Sequence, residues 1–242
     1  MSSISATDQK LLAIISGPAP ATIDGVIQRL ESIDALLPND DGLKWFNRLY
    51  LYVTNEVKLK HADDKWKDAP WLTRLDVIFA GFYFAALIDA IGQTGAAPKS
   101  WQALFEARHQ KPIDRIQFAL AGMNAHINHD LALALIQLDA EFHLTTKLSS
   151  LEHDDYERVN GLLEEVLPSA LKFLATGILG LVAESTGKIG RLLAIWNIRA
   201  ARDLAWDFSH HLRILPGFTR NVALNMQDKV TGALGRSLLH VL

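Results

Sequence analysis

The chain has 242 residues, of which 49% are hydrophobic and 21% charged, with a net charge of −3 at pH 7 and no cysteine. That balance lacks the basic excess of a nucleic-acid binder, and no shift in composition divides the chain, so a single domain over residues 1–242 with no nucleic-acid partner is expected. Without thiols there is no disulfide, thiolate nucleophile or thiolate-held zinc, which leaves His, Asp and Glu to hold any metal.

The first residues, Met1 to Gln9, lack the basic start and apolar stretch of a secretory signal. The most apolar run, beginning at Val77 and bounded by Asp76 and Asp89, falls short of the ~20 residues needed to cross a bilayer, and a second run from Phe173 to Ala183 is shorter still. A cytoplasmic protein without a membrane span is the reading.

Apolar residues recur at helical spacing, and no run alternates in the manner of a strand, so the fold class is all-α. Breakers at Pro18 and Pro20, Pro38 to Gly42, Pro70, Gly92 to Pro98, Pro112, Ser149 to Asp155, Gly187 to Gly190, and Pro216 to Gly217 divide the chain into about nine helices. Short ones are predicted near 6–16, 22–36 and 99–109. Long ones are predicted near 41–61, 71–92, 113–143, 154–176, 190–214 and 218–241.

In the 41–61 segment Trp45, Phe46, Tyr50, Tyr52 and Val53 form an aromatic-rich face, which with Phe79, Phe82, Tyr83 and Phe84 of the next helix can line an apolar pocket. Core packing is the plainer explanation. Trp45 and Tyr50 are nonetheless retained as substrate-facing candidates.

The helix after Pro112 is the most informative. Ile113, Ile116, Leu120, Met123, Ile127, Leu131, Ala134 and Leu138 fall on one apolar arc, while Phe118, Ala119, Gly122, Leu133 and Leu135 leave little room for a solvated face. The helix 113–143 is therefore expected to be buried at the centre of a multi-helix bundle. On it His126, His129 and Asp130 stand at i, i+3 and i+4, with Asn124 and Asn128 on the opposite flank. Two imidazoles and a carboxylate so grouped suit a divalent metal, or a carboxylate that orients an imidazole acting as general base. A satisfied buried hydrogen-bond network accounts for the same residues.

In the segment His153 to Asn160, Asp154 followed by Glu157 matches a capping box that opens a helix, while Asp155, Tyr156 and Asn160 can reach a pocket from that helix start. On the 190–214 segment Arg199, Asp203, Asp207 and His210 share a stripe flanked by Trp196 and Trp206, opposite Leu193, Leu204, Phe208, Leu212 and Leu215. Arg199 and Asp203 are expected to pair on the inner side and join the catalytic group, His210 to serve as a further metal ligand, and Tyr156, Trp196 and Trp206 to face substrate. A ladder of i, i+4 contacts explains part of the stripe without any function. His61, His109 and His240 stand near helix ends and are assigned no chemistry, and Gly187 to Gly190 is too short for a phosphate loop.

Trp45-Phe46 with Tyr50, the string Met123 to Asn128 followed by Asp130-Leu131, and Asp155-Tyr156 with Asn160 resemble an uncharacterised bacterial all-helical family with a domain-of-unknown-function label and an N-A-H-I-N-x-D-L signature. The resemblance covers roughly residues 40–210 and implies a shared fold and site region without a reaction. It favours His126, Asn128 and Asp130 over His129.

The functional expectation is an enzyme acting on a small, largely hydrophobic substrate by His/Asp acid–base or metal-assisted chemistry, with His126, Asp130, Asn128, Asn124, Arg199 and Asp203 as catalytic candidates. His126, His129, Asp130 and His210 are the candidate ligands of a divalent metal. A binder of a lipid-like ligand and a helical interaction module are the alternatives. No G-x-S-x-G, H-E-x-x-H or D-D-x-x-D motif fixes a reaction class.

Overall fold

Several helices begin where a side chain satisfies a free amide group. Ser5 caps α1 (Ala6–Ile15), Thr22 caps α2 (Ile23–Leu36) and Asp68 caps α4 (Ala69–Ile91), each accepting from a backbone N–H three residues on. Between the last two lies α3 (Gly42–Asp63), and α5 (Lys99–Ala107) follows Pro98. The central helix, α6, opens on a capping box between Asp114 and Gln117 and comprises Arg115–Ala125, a π-turn at His126–Asp130, and Leu131–Phe142. α7 (Leu151–Ala175), α8 (Ile198–Ile214, capped by Asn197) and α9 (Gly217–His240) complete the order. The computed structural model describes residues 4–63, 66–175 and 197–240, and among the described residues there are nine helices and no strand.

The all-α reading and the central placement of α6 agree with this architecture. Every residue from Ile116 to Ile127 is buried, so the first half of α6 has no solvated side. It packs against α3, α5, α7 and α9, while its second half and π-turn meet α4 and α8. Two close approaches set these distances. Gly122 lies under the Phe46 ring, where a Cβ would come within 2.3 Å, and Gly232 of α9 sits on the Lys99 carbonyl of α5, where a Cβ would come within 2.5 Å.

Two expectations change. α7 starts at Leu151, three residues before the predicted capping box. Ser150 Oγ accepts from His153 N–H at its start, while Asp154 pairs with Lys67 and Glu157 with Arg199. The described part of the 190–214 segment begins at Ile198; its inner face is Ala201, Arg202, Ala205, Trp206, Ser209 and Leu212, and Leu204 points outward. Leu193, Trp196 and the Gly187 to Gly190 segment lie outside the described residues, as does the His61 side chain. No helix among the described residues is long and apolar enough to cross a membrane.

Candidate functional site

An α-helix would bring His126, His129 and Asp130 to one flank. The π-turn parts them. A π-turn holds more residues than an α-turn, so each step rotates less, and the i+4 side chain stays near the direction of i while i+3 falls behind. His126 Nδ1 accordingly lies 2.8 Å from Asp130 Oδ2, whereas His129 Nδ1 lies 2.8 Å from Gln227 Oε1 on α9 and 3.9 Å from Asp228. Among the described residues no three His, Asp or Glu side chains are grouped so as to hold a metal ion. The expected ligand set of His126, His129, Asp130 and His210 is thus not assembled. His210 stands beside Trp206 on α8, with ring centroids 5.4 Å apart, and is not among the side chains lining the cavity described below.

Trp101 Nε1 donates to the same oxygen, Asp130 Oδ2, at 3.0 Å. An indole N–H can only donate, so Oδ2 accepts from it, and beside the Asp130 anion the His126 proton is on Nδ1. The other nitrogen, Nε2, is buried and has no hydrogen-bond partner among the described residues. Phe79 lies parallel to the imidazole with centroids 3.5 Å apart at 5°, and Phe46, Tyr50, Tyr83 and Trp101 surround it at 4.8–6.2 Å. Burial in this aromatic cage holds His126 well below the usual histidine range, so it is a neutral imidazole. Burial also pushes the Asp130 carboxyl up to about 7, although His129 and the Trp101 hydrogen bond favour its anion.

His126 lines a cavity of about 70 Å³ bordered by α2, α3, α4, α6, α7 and α8. Its wall is mostly aliphatic, with Val26, Val53, Val57, Ile127, Val159 and Leu163. Its polar groups are His126, Tyr50, Thr54, Asp76 and Arg202. Asp76 lines this cavity and is half-buried; desolvation pushes its carboxyl up to about 7 against the pull of Arg202, and it accepts no hydrogen bond among the described residues. Burial raises the Tyr50 phenol as well, aided by Asp76 and Asp130. Arg202 is 5% exposed; its Nε donates to Asn160 Oδ1, its guanidinium lies 4.3 Å over the Tyr156 ring, and the Tyr156 hydroxyl donates to its backbone carbonyl at 2.7 Å.

Asp76 and Arg202 were not among the expected site residues. A signal existed for both. Asp76, Phe79 and Tyr83 recur at i, i+3 and i+7, which places the acid on the aromatic face of α4. Ile198, Arg202, Ala205 and Ser209 likewise form one helical stripe.

The remaining candidates take other duties. Arg199 and Asp203 do not pair: Arg199 bonds to Glu157 at 2.7 Å and Glu164 at 3.0 Å, and Asp203 accepts from Asn160 at 3.0 Å. A guanidinium one turn nearer the helix start reaches the acidic flank of α7, and the cavity position falls to Arg202. Asn124 donates to the Thr231 carbonyl at 2.9 Å and accepts from Asn128 at 2.9 Å, so this pair ties α6 to α9. Asp155 accepts from the backbone N–H groups of Lys67 and Asp68 ahead of α4. Trp45 packs under Arg115 at 4.2 Å, and Trp206 is buried against Trp71, Tyr156 and His153, so neither lines the cavity. Of the substrate-facing candidates Tyr50 lines it and Tyr156 supports Arg202, while Trp196 lies outside the described residues.

No curated protein and no solved structure matches the chain. One family model does match, over residues 23–241, and the chain therefore belongs to DUF5995, a family of unknown function.

Proposed function

We propose that this protein is an enzyme acting on a small, largely hydrophobic molecule, in which His126 is the general base, Asp130 orients it, and Asp76 across the cavity exchanges protons as the acid partner. The observation that carries this reading is the His126 imidazole, which lines the cavity with one nitrogen beside Asp130 and the other, Nε2, buried without a partner among the described residues. A buried nitrogen without a partner is costly, and a base must keep such a lone pair available for the proton it removes. Asp130 fixes the tautomer and would stabilise the imidazolium formed during proton transfer. The low-dielectric walls strengthen each of these interactions.

A second reading, a non-enzymatic carrier of an apolar ligand, is favoured by the aliphatic wall alone. Turnover and binding separate the two. Incubation with a panel of small apolar acids, esters, amides and ketones, followed by mass spectrometry, should reveal conversion by the wild type. His126→Gln and Asp130→Asn should lose about 10²–10⁴-fold of that rate with the helical spectrum intact, while His129→Tyr, on the α9 side of the π-turn, should retain it. Equal turnover in wild type and His126→Gln would overturn the proposal, and retained binding with no conversion would favour the carrier.

A further inference from the structure

Of the described arginines only Arg108 and Arg202 are fully buried, and their surroundings differ. Arg108 lies against Asp41 and 3.0 Å from Asp8, and Arg213 is 2.9 Å from Asp139. Among the described residues no carboxylate comes within ion-pair distance of Arg202; Asn160 and the Tyr156 ring hold it from behind, and its surface borders the cavity. A guanidinium removed from water without a counter-charge is costly, because mutual attraction with an anion is what offsets desolvation. Asp76 in the cavity and Asp203, reached through Asn160, both feel the charge of Arg202, but neither comes within ion-pair distance of it.

Size narrows the occupant. A water-sized group needs about 10–15 Å³ of such space, so a cavity of about 70 Å³ takes roughly five to seven non-hydrogen atoms. Most of the lining is aliphatic, and the Thr54 hydroxyl is spent on the Tyr50 carbonyl, so besides Arg202 few donors remain, which suits two anionic oxygens on a hydrocarbon better than the several oxygens of a phosphate. We infer that the cavity binds a short-chain aliphatic monocarboxylate, its carboxylate on the Arg202 fork with Asp76 as a second donor, and its alkyl chain among Val26, Val53, Val57 and Leu163 beside His126. This rests on the enzymatic reading for its consequence, since it names the substrate class, although the binding it describes is measurable without any turnover.

Pentanoate and its neutral isostere pentanamide are the probes, titrated into the full chain by calorimetry or ligand-observed NMR. The wild type should bind pentanoate at least about tenfold more tightly than pentanamide, because only the carboxylate offers the guanidinium an ionised, two-oxygen acceptor. Arg202→Gln should remove that preference and leave pentanamide unchanged. Asp76→Asn, which keeps a donor and removes a competing negative charge, should bind pentanoate at least as tightly as the wild type. Equal affinity of the wild type for both probes overturns the inference, as does a preference that survives Arg202→Gln or is lost in Asp76→Asn. Should Arg202→Gln not fold, the wild-type comparison and Asp76→Asn still decide. Conversion found in the panel without a preference for the anion would sink this inference alone, whereas the preference without any conversion would sink only the enzymatic reading.

Discussion

Trp101 and His126 meet on a single atom: Oδ2 of Asp130 accepts from the indole nitrogen at 3.0 Å and faces the imidazole Nδ1 at 2.8 Å. The indole favours the Asp130 anion against the burial that opposes it. Trp101→Phe should therefore move the Asp130 carboxyl further up, so that the orienting anion is lost at a higher pH. The acid limb of the pH–rate profile is expected to shift toward alkaline values, and denaturant unfolding to show a loss of about 1–3 kcal/mol from the removed donor. An unmoved limb would mean that the shared oxygen does not tune His126.

Asp76 gives the fold a distinct pH dependence. Its carboxyl is pushed from the ordinary 3.8 up to about 7 in the folded chain, so the native state holds a proton that the unfolded chain releases. The sign follows: no penalty exists below the unfolded value, and the folded state loses stability as pH rises from about 4 through about 7, by at most about 4 kcal/mol. Asp76→Asn removes that loss. Urea titrations should show the variant gaining on the wild type by about 2 to 3 kcal/mol more near pH 8 than near pH 5, and a gain independent of pH would contradict the burial of this acid.

Two arginine ion pairs differ in surroundings. Arg108 meets Asp41 at side-chain exposures of 9% and 1%, whereas Arg199 meets Glu157 at 35% and 36%. Asp41→Ala leaves a buried guanidinium short of its main counter-charge and is expected to cost about 3–5 kcal/mol. Arg199→Ala breaks solvated contacts and should cost under about 1 kcal/mol. Thermal melts of the two variants side by side check the order.

Much of this arrangement was legible in the sequence. The nine helical segments follow from 3.6-residue periodicity interrupted by Pro and Gly, and the His126–Asp130 pair follows from i, i+4 spacing on a helix with no polar side to spare. The π-turn was not legible, because an i→i+5 bond has no compositional mark, and it is this turn that separates His129 from the pair. Arg199 was chosen where Arg202 serves, since a helical wheel gives the spacing of a stripe without saying which neighbouring stripe faces inward. Asp76 passed as the border of an apolar run because burial of a lone acid is decided by the helices that pack over it. Leu204, grouped with the apolar side of its helix, is 67% exposed for the same reason.

The parallel stack of Phe79 on His126 has a spectroscopic consequence. Protons held over the face of a benzene ring are shielded by its circulating electrons, so the carbon-bound protons of this imidazole should resonate upfield, away from those of the other histidines among the nine in the chain. One resonance thus reports on the cavity wall directly, and a molecule that enters and parts the two rings will announce itself by returning that signal downfield.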